Sequence, residues 1–123
     1  MPPLTAAVTV SAAATKFGFE WEKVDDVWDK FSEELGEFKE ALQTENVEHQ
    51  ESELGDLLFT VVNLARWYKL DPERGLQGTL NRFSQRLEQM EMVIDRPLTD
   101  YSVAELEVLW QQAKQQLAAQ KSK

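Results

Sequence analysis

Two short acidic motifs hold the residues best suited to chemistry: Glu33-Glu34-Leu35-Gly36-Glu37 and, after a gap of fifteen residues, Glu53-Leu54-Gly55-Asp56. On a helix, residues three apart share a face, with Cβ atoms roughly 5–6 Å apart. Glu34 with Glu37, and Glu53 with Asp56, would then each present two carboxylates in one direction. At about 100° per residue, Lys30, Glu34 and Glu37 fall on one flank of an apolar stripe. His49, Glu53, Asp56, Thr60 and Asn63 fall on the flank of another. Carboxylates crowded beside a core repel one another, and a divalent cation removes that repulsion. The chain has no cysteine, so oxygen ligands would select a hard ion, Mg²⁺ or Mn²⁺, over zinc or copper. The same spacing also fits a solvated acidic helix face that holds no ion. His49 lacks the Glu-x-x-His spacing of di-iron bundles, because Asn46 stands three residues before it; it reads as a polar flank residue, not a ligand. Gly36 and Gly55 sit inside the motifs at a cost of about 1 kcal/mol each relative to alanine, which points to a close helix approach or clearance for a ligand.

The elements that would carry these groups are helices. Val24, Val27, Trp28, Phe31, Leu35, Phe38 and Leu42 recur at steps of three and four, predicting a helix over 22–42. Thr44, Glu45 and Asn46 break it. Leu54, Leu57, Leu58, Val61, Leu64, Ala65 and Tyr68 predict a second helix over 47–69. So short a connection implies antiparallel neighbours, which lets the two acidic pairs converge. Asp71-Pro72-Glu73 is a restart signal, with an N-cap aspartate before a proline at the first helical position. A third helix follows through Ile94 and stops before Pro97. Ser102 and Glu105 form a capping box that opens a fourth, with Leu106, Leu109, Trp110 and Leu117 as its apolar positions. No segment alternates with period two, so the fold expected is all-α, a four-helix bundle. Residues 1–15 carry no charged side chain and read as a flexible leader or linker remnant before a helical domain over 16–120.

The formal net charge is -9, from 22 acidic and 13 basic residues. That balance counts against a nucleic-acid binder, which needs a basic surface. It leaves room for an anionic nucleotide met through a divalent cation. No apolar run approaches the length of a membrane span, and a cytoplasmic setting is expected. Twelve aromatic residues, four of them tryptophan, are more than one small bundle needs inside, which favours a homodimer or higher homo-oligomer that shares its core.

In order and spacing, the acidic motifs resemble the E-E-x-x-E…E-x-x-D pattern of the MazG family. Phe17-Gly18-Phe19-Glu20-Trp21 resembles the family's G-F-D-W segment. Gly55-Asp56-Leu57-Leu58-Phe59, followed by Val62-Asn63-Leu64-Ala65-Arg66, is similar to its second-helix signature. Arg82-Phe83 with Arg86 is similar to its K-F-x-x-R segment, and Leu109-Trp110 to its last-helix ending. The resemblance covers residues 15–118 and implies a Mg²⁺-dependent nucleoside triphosphate pyrophosphohydrolase, yielding the monophosphate and pyrophosphate, that assembles as a dimer or larger oligomer. It implies Glu34, Glu37, Glu53 and Asp56 as metal ligands and Glu33 as general base, although Glu33 points away from the flank of Glu34 on a helical wheel. Lys30, Arg82 and Arg86 become phosphate contacts, and Asn63 and Trp110 nucleotide contacts. One departure is Leu80, where the family has asparagine two residues before its basic position. Two other classes compete with the enzyme: a helical interaction module with merely solvated acids, and a non-catalytic sensor that binds nucleotide without releasing pyrophosphate.

Overall fold

The computed structural model describes residues 2–121 and is all-α. Its helices are α1 (Pro3–Lys16), α2 (Val24–Ala41), α3 (Val47–Trp67), α4 (Pro72–Val93) and α5 (Val103–Lys121), with a 3-10 turn at Leu98–Asp100. No strand occurs among the described residues. The chain divides into two compact units, one ending at Arg74 and the other beginning at Gly75.

In the first unit α3 packs against both α2 and α1. The connection from α2 to α3 is tied at both ends. Thr44 Oγ1 donates to the carbonyl of Ala41 at 2.7 Å, and Gln50 Nε2 donates to the carbonyl of Thr44 at 2.7 Å. At the opposite ends of the pair, Trp28 Nε1 donates to Tyr68 Oη at 3.0 Å. The end of α2 thus meets the start of α3, and the start of α2 meets the end of α3, so the two run antiparallel. Val27, Ala41, Val62 and Leu64 fill the space between helices and are buried.

Helix boundaries follow local chemistry. Asn46 caps α3 by accepting from the His49 amide at 3.0 Å, which satisfies an amide that the helix itself leaves unpaired. Asp71 caps α4 by accepting from the Glu73 and Arg74 amides, each at 3.1 Å. The α5 capping box forms as the spacing requires: Ser102 N donates to Glu105 Oε1 at 2.9 Å, and Glu105 N donates to Ser102 Oγ at 3.1 Å. In the second unit, Met90 of α4 and Ala113 of α5 are buried, and Phe83 stacks at a tilt on Trp110 with ring centroids 4.8 Å apart.

The all-α class holds, with one helix more than expected. Residues 3–16 are α1, which takes in most of the 1–15 segment expected as a flexible leader or linker remnant, so the described residues hold five α-helices where four were expected. Alanine favours this helix intrinsically, Pro3 sits where its missing N–H costs nothing, and buried Ser11 docks it on α3. Its end is a Schellman motif. Phe19 N donates to Ala14 O and Gly18 N to Thr15 O, with Gly18 at φ +82°, a conformation glycine reaches without strain. Of the two reasons expected for the mid-helix glycines, one falls away. A Cβ at Gly36 or Gly55 would meet no heavy atom within 4 Å, so among the described residues no close helix approach explains either one, and clearance for a ligand remains.

Candidate functional site

The acidic motifs meet where α2 and α3 lie side by side. One carboxylate oxygen from each of Glu34, Glu37 and Glu53 lies within 4.8 Å of the other two. Glu34 is buried at 6% exposure. Its Oε1 accepts from Lys30 Nζ at 3.1 Å, while its Oε2 is buried with no hydrogen-bond partner. Glu53 Oε2 is likewise buried and unpartnered. A buried carboxylate oxygen without a donor is costly, and three carboxylates within 4.8 Å of one another add charge repulsion. The repulsion registers on Glu37, whose carboxyl is pushed above the usual range chiefly by the charge of Glu34, then by partial desolvation and by Glu53. In the opposite direction, the hydrogen bond to Glu34 holds the Lys30 ammonium above its usual range. A hard divalent cation fits this donor set, since it would satisfy both orphaned oxygens and cancel the repulsion.

Asp56 stands one turn beyond Glu53 and lies outside the close triad. It lines a neighbouring cavity of about 610 Å³, together with Lys30, Glu34, Phe59, Thr60 and Asn63 and the loop residues Gly18, Phe19, Glu20 and Trp21. This volume lies within the range of small-ligand pockets, roughly 300–1,000 Å³. Three aromatic rings and the carboxamide of Asn63 give it an apolar body with a few polar points. Glu33 is exposed and within 3.5 Å of Lys30 Nζ. His49 Nδ1 stands 4.0 Å from Glu53 Oε1, on the rim of the acidic cluster.

Asn63 belongs to a network that the sequence motifs did not disclose. Ser11 Oγ donates to Asn63 Oδ1 and accepts from Arg66 Nε at 2.6 Å. The Arg66 guanidinium also grips Glu20 with two parallel bonds of 2.7 and 2.8 Å, which holds the Glu20 carboxyl below its usual range. The available signal was the spacing of Asn63 and Arg66, three apart on one face, and the isolated serine in an Ala/Val/Thr helix.

The remaining sequence candidates belong to the second unit. Arg82 Nη2 donates to Thr79 Oγ1 at 3.1 Å, and the Arg86 guanidinium carbon lies 5.2 Å from the centroid of the Trp110 ring, within cation–π range. Leu80 is exposed on α4.

A family model for the MazG nucleotide pyrophosphohydrolase domain matches residues 22–90, more than half of the chain. The chain belongs to the MazG family. It is 35% identical over 117 residues to a nucleoside triphosphate pyrophosphohydrolase/pyrophosphatase MazG of Thermotoga maritima, covering 93% of this chain and 45% of that protein. It is 31% identical over 121 residues to a nucleoside triphosphate pyrophosphohydrolase of Escherichia coli, covering 94% of this chain and 46% of the relative. The uncharacterized protein YabN of Bacillus subtilis is 38% identical over 67 residues, 52% of this chain and 14% of its own length. This MazG chain therefore spans about half the length of the two pyrophosphohydrolases. The family match takes in both acidic motifs, and α1 and the Gly18–Trp21 loop lie ahead of it.

Proposed function

We propose that this MazG domain hydrolyses nucleoside triphosphates to the monophosphate and pyrophosphate, using Mg²⁺ or Mn²⁺. The observation that carries the reading is the pair of buried, unpartnered oxygens, Glu34 Oε2 and Glu53 Oε2, set beside Glu37 and next to a cavity of nucleotide scale. Glu34, Glu37 and Glu53 would hold the ion, with Asp56 as a fourth ligand. When bound, a divalent ion there supplies neutralisation of triphosphate oxygens and a more acidic water. Lys30 keeps Glu34 oriented through its 3.1 Å contact and offers a cation toward phosphate. Glu33, exposed beside Lys30, is the proposed proton acceptor. Phe19, Trp21 and Phe59 would cover the nucleoside and keep water from it, and Asn63 would give it a polar contact. For Arg82, Arg86 and Trp110 the proposed nucleotide contact rests on the family motif alone. The active form proposed is a homodimer or a larger homo-oligomer.

The test is pyrophosphate release over a panel of nucleoside triphosphates, with and without Mg²⁺. Glu53→Gln should lower turnover by at least about a hundredfold, since even residues that merely support a metal ligand cost 10–100-fold, and circular dichroism should show the helices intact. Mg²⁺ at about a hundredfold excess over its Kd should stabilise the wild type by roughly 3 kcal/mol, and Glu53→Gln should lose that gain. Full activity in chelator, or an unaffected Glu53→Gln, would remove the metal site from the mechanism. Nucleotide binding with no pyrophosphate from any substrate would favour the sensor.

A further inference from the structure

The geometry points to Ser11 of α1 as a positioning residue that fixes Asn63 as a hydrogen-bond donor to the nucleoside in the cavity. This inference rests on the nucleotide reading above and reaches beyond the residues of the family match, which begins at residue 22.

A serine hydroxyl has one proton to give, and the Nε–H of arginine can only donate. Arg66 Nε donates to Ser11 Oγ at 2.6 Å, so the serine proton is left for Asn63, whose Oδ1 accepts it. With the Asn63 oxygen turned to Ser11, the hydroxyl donates to it while accepting from Arg66. Asn63 is held with its oxygen committed to α1, and what its carboxamide has left to offer is the pair of N–H donors. Asn63 is 6% exposed and Ser11 4% exposed, so water does not compete freely for either group. Asn63 also lines the cavity, where a donor would select an acceptor atom on the ligand, such as a carbonyl oxygen, a ring nitrogen or a sugar oxygen.

The network reaches further through Arg66. Its two remaining nitrogens clamp the Glu20 carboxylate, and Glu20 Oε1 also accepts from the Trp21 amide at 3.0 Å. One hydrogen-bonded chain thus fixes the Asn63 carboxamide and the loop that supplies Glu20 and Trp21 to the cavity wall. Without the Ser11 hydroxyl, the carboxamide of Asn63 can turn over, and the cavity would then meet the ligand with either an oxygen or a nitrogen. Ser11 touches no ligand in this account; it acts through Asn63.

A double-mutant cycle on the full chain tests this. Wild type, Ser11→Ala, Asn63→Ala and the double variant are compared for KM and kcat of pyrophosphate release. The same four proteins are titrated calorimetrically, with Mg²⁺, against the α,β-methylene analogues of ATP, GTP, CTP and UTP. Ser11→Ala should raise KM and Kd about tenfold, the worth of one hydrogen bond, and leave kcat within about twofold. Added to Asn63→Ala it should change nothing further, because the group it positions is gone. Independent, multiplying effects of the two substitutions, or a fall in kcat at unchanged Kd, would overturn the positioning role and leave Ser11 as a packing residue. If Ser11→Ala does not fold, the isosteric pair Ser11→Thr and Ser11→Val replaces it. Thr should bind about as tightly as wild type and Val about tenfold more weakly, and equal binding by the two would overturn the proposal. A wild type that binds an analogue but releases no pyrophosphate from the corresponding triphosphate overturns the hydrolase reading alone, and the Kd cycle still decides on Ser11. A wild type that binds none of the four analogues and hydrolyses none of the four triphosphates overturns both.

Discussion

Glu37 and Glu20 are carboxylates less than twenty residues apart whose surroundings push them in opposite directions. The charge of Glu34 raises the pKa of Glu37 above its ordinary 4.5, so the folded chain binds that proton more tightly than the unfolded one. By linkage, this favours folding fully below the ordinary value and is lost as pH rises through the raised pKa. At neutral pH without a cation, the ionised Glu37 is therefore a liability. Glu37→Gln in chelator should raise Tm at pH 7, and the difference from wild type should fade as the solution is acidified below pH 4.5, the usual value of the group. In Mg²⁺ the order should invert, because a bound cation reverses the local charge logic and the variant has lost a ligand. A Tm for Glu37→Gln at or below wild type in chelator would show that the three acids do not strain the fold. Glu20 is the mirror case. The hydrogen bond from Arg66 lowers its pKa below 4.5, so its contribution is present above the ordinary value and is lost as pH falls through the lowered one. Glu20→Gln should be destabilised at pH 7 by at most about 1 kcal/mol, the scale of exposed ion pairs, and the gap should close in acid. Urea titrations of both proteins at pH 7 and at low pH would check it. A gap that persists in acid would mean that the ion pair is not its source.

At the level of elements, helix ends repeat one device with different residues. The C-terminus of α3 is a Schellman motif like that of α1: Leu70 N donates to Ala65 O at 2.8 Å and Lys69 N to Arg66 O at 3.0 Å. Here the left-handed position is held by Lys69 at φ 60°, where a side chain is unfavourable and glycine is not. Lys69→Gly should stabilise the chain by about 1 kcal/mol and raise Tm by a few degrees; a neutral or negative change in thermal unfolding would contradict the strain. Periodicity located α2 and α3 because large apolar residues recur against charged ones, and the caps at Asn46, Asp71 and Ser102 were legible because each is a local side-chain reaction with its own backbone. α1 was not legible for the same reason inverted. Its face contrast is weak, its residues are small, and its attachment depends on Ser11 meeting Asn63 fifty-two positions away. Spacing paired Glu34 with Glu37 and Glu53 with Asp56 but did not disclose that Asp56 stays outside the close cluster, and it left the cavity wall unread, since Glu20 reaches Arg66 across forty-six positions and spacing along one helix carries no such contact.

For the molecule as a whole, the arithmetic of apolar surface argues for association. Large hydrophobic side chains are abundant, yet among the described residues Val27 and Val62 are the largest that are fully buried. On α3, Leu54, Leu58 and Val61 recur at steps of four and three and are 40%, 50% and 42% exposed; Trp28 of α2 is 46% exposed. Scattered apolar residues on a surface are ordinary, but a helical stripe of them behaves as a docking face. Burying such a stripe recovers roughly 25 cal/mol for each Å² removed from water, and a second copy of the same chain, related by a two-fold axis, would bring the same stripe to the contact. The net charge of -9 works against close approach of two copies, so association should strengthen as salt screens that repulsion. Light scattering on the eluting peak should therefore give at least twice the chain mass of 14.2 kDa. Leu58→Lys, which puts an ammonium into the stripe away from the acidic cluster, should shift the peak toward one chain while circular dichroism keeps its helical signal. A wild type that elutes as a single chain at micromolar concentration in both low and high salt would sink the association. An unshifted Leu58→Lys would mean that copies meet through some other face than this one.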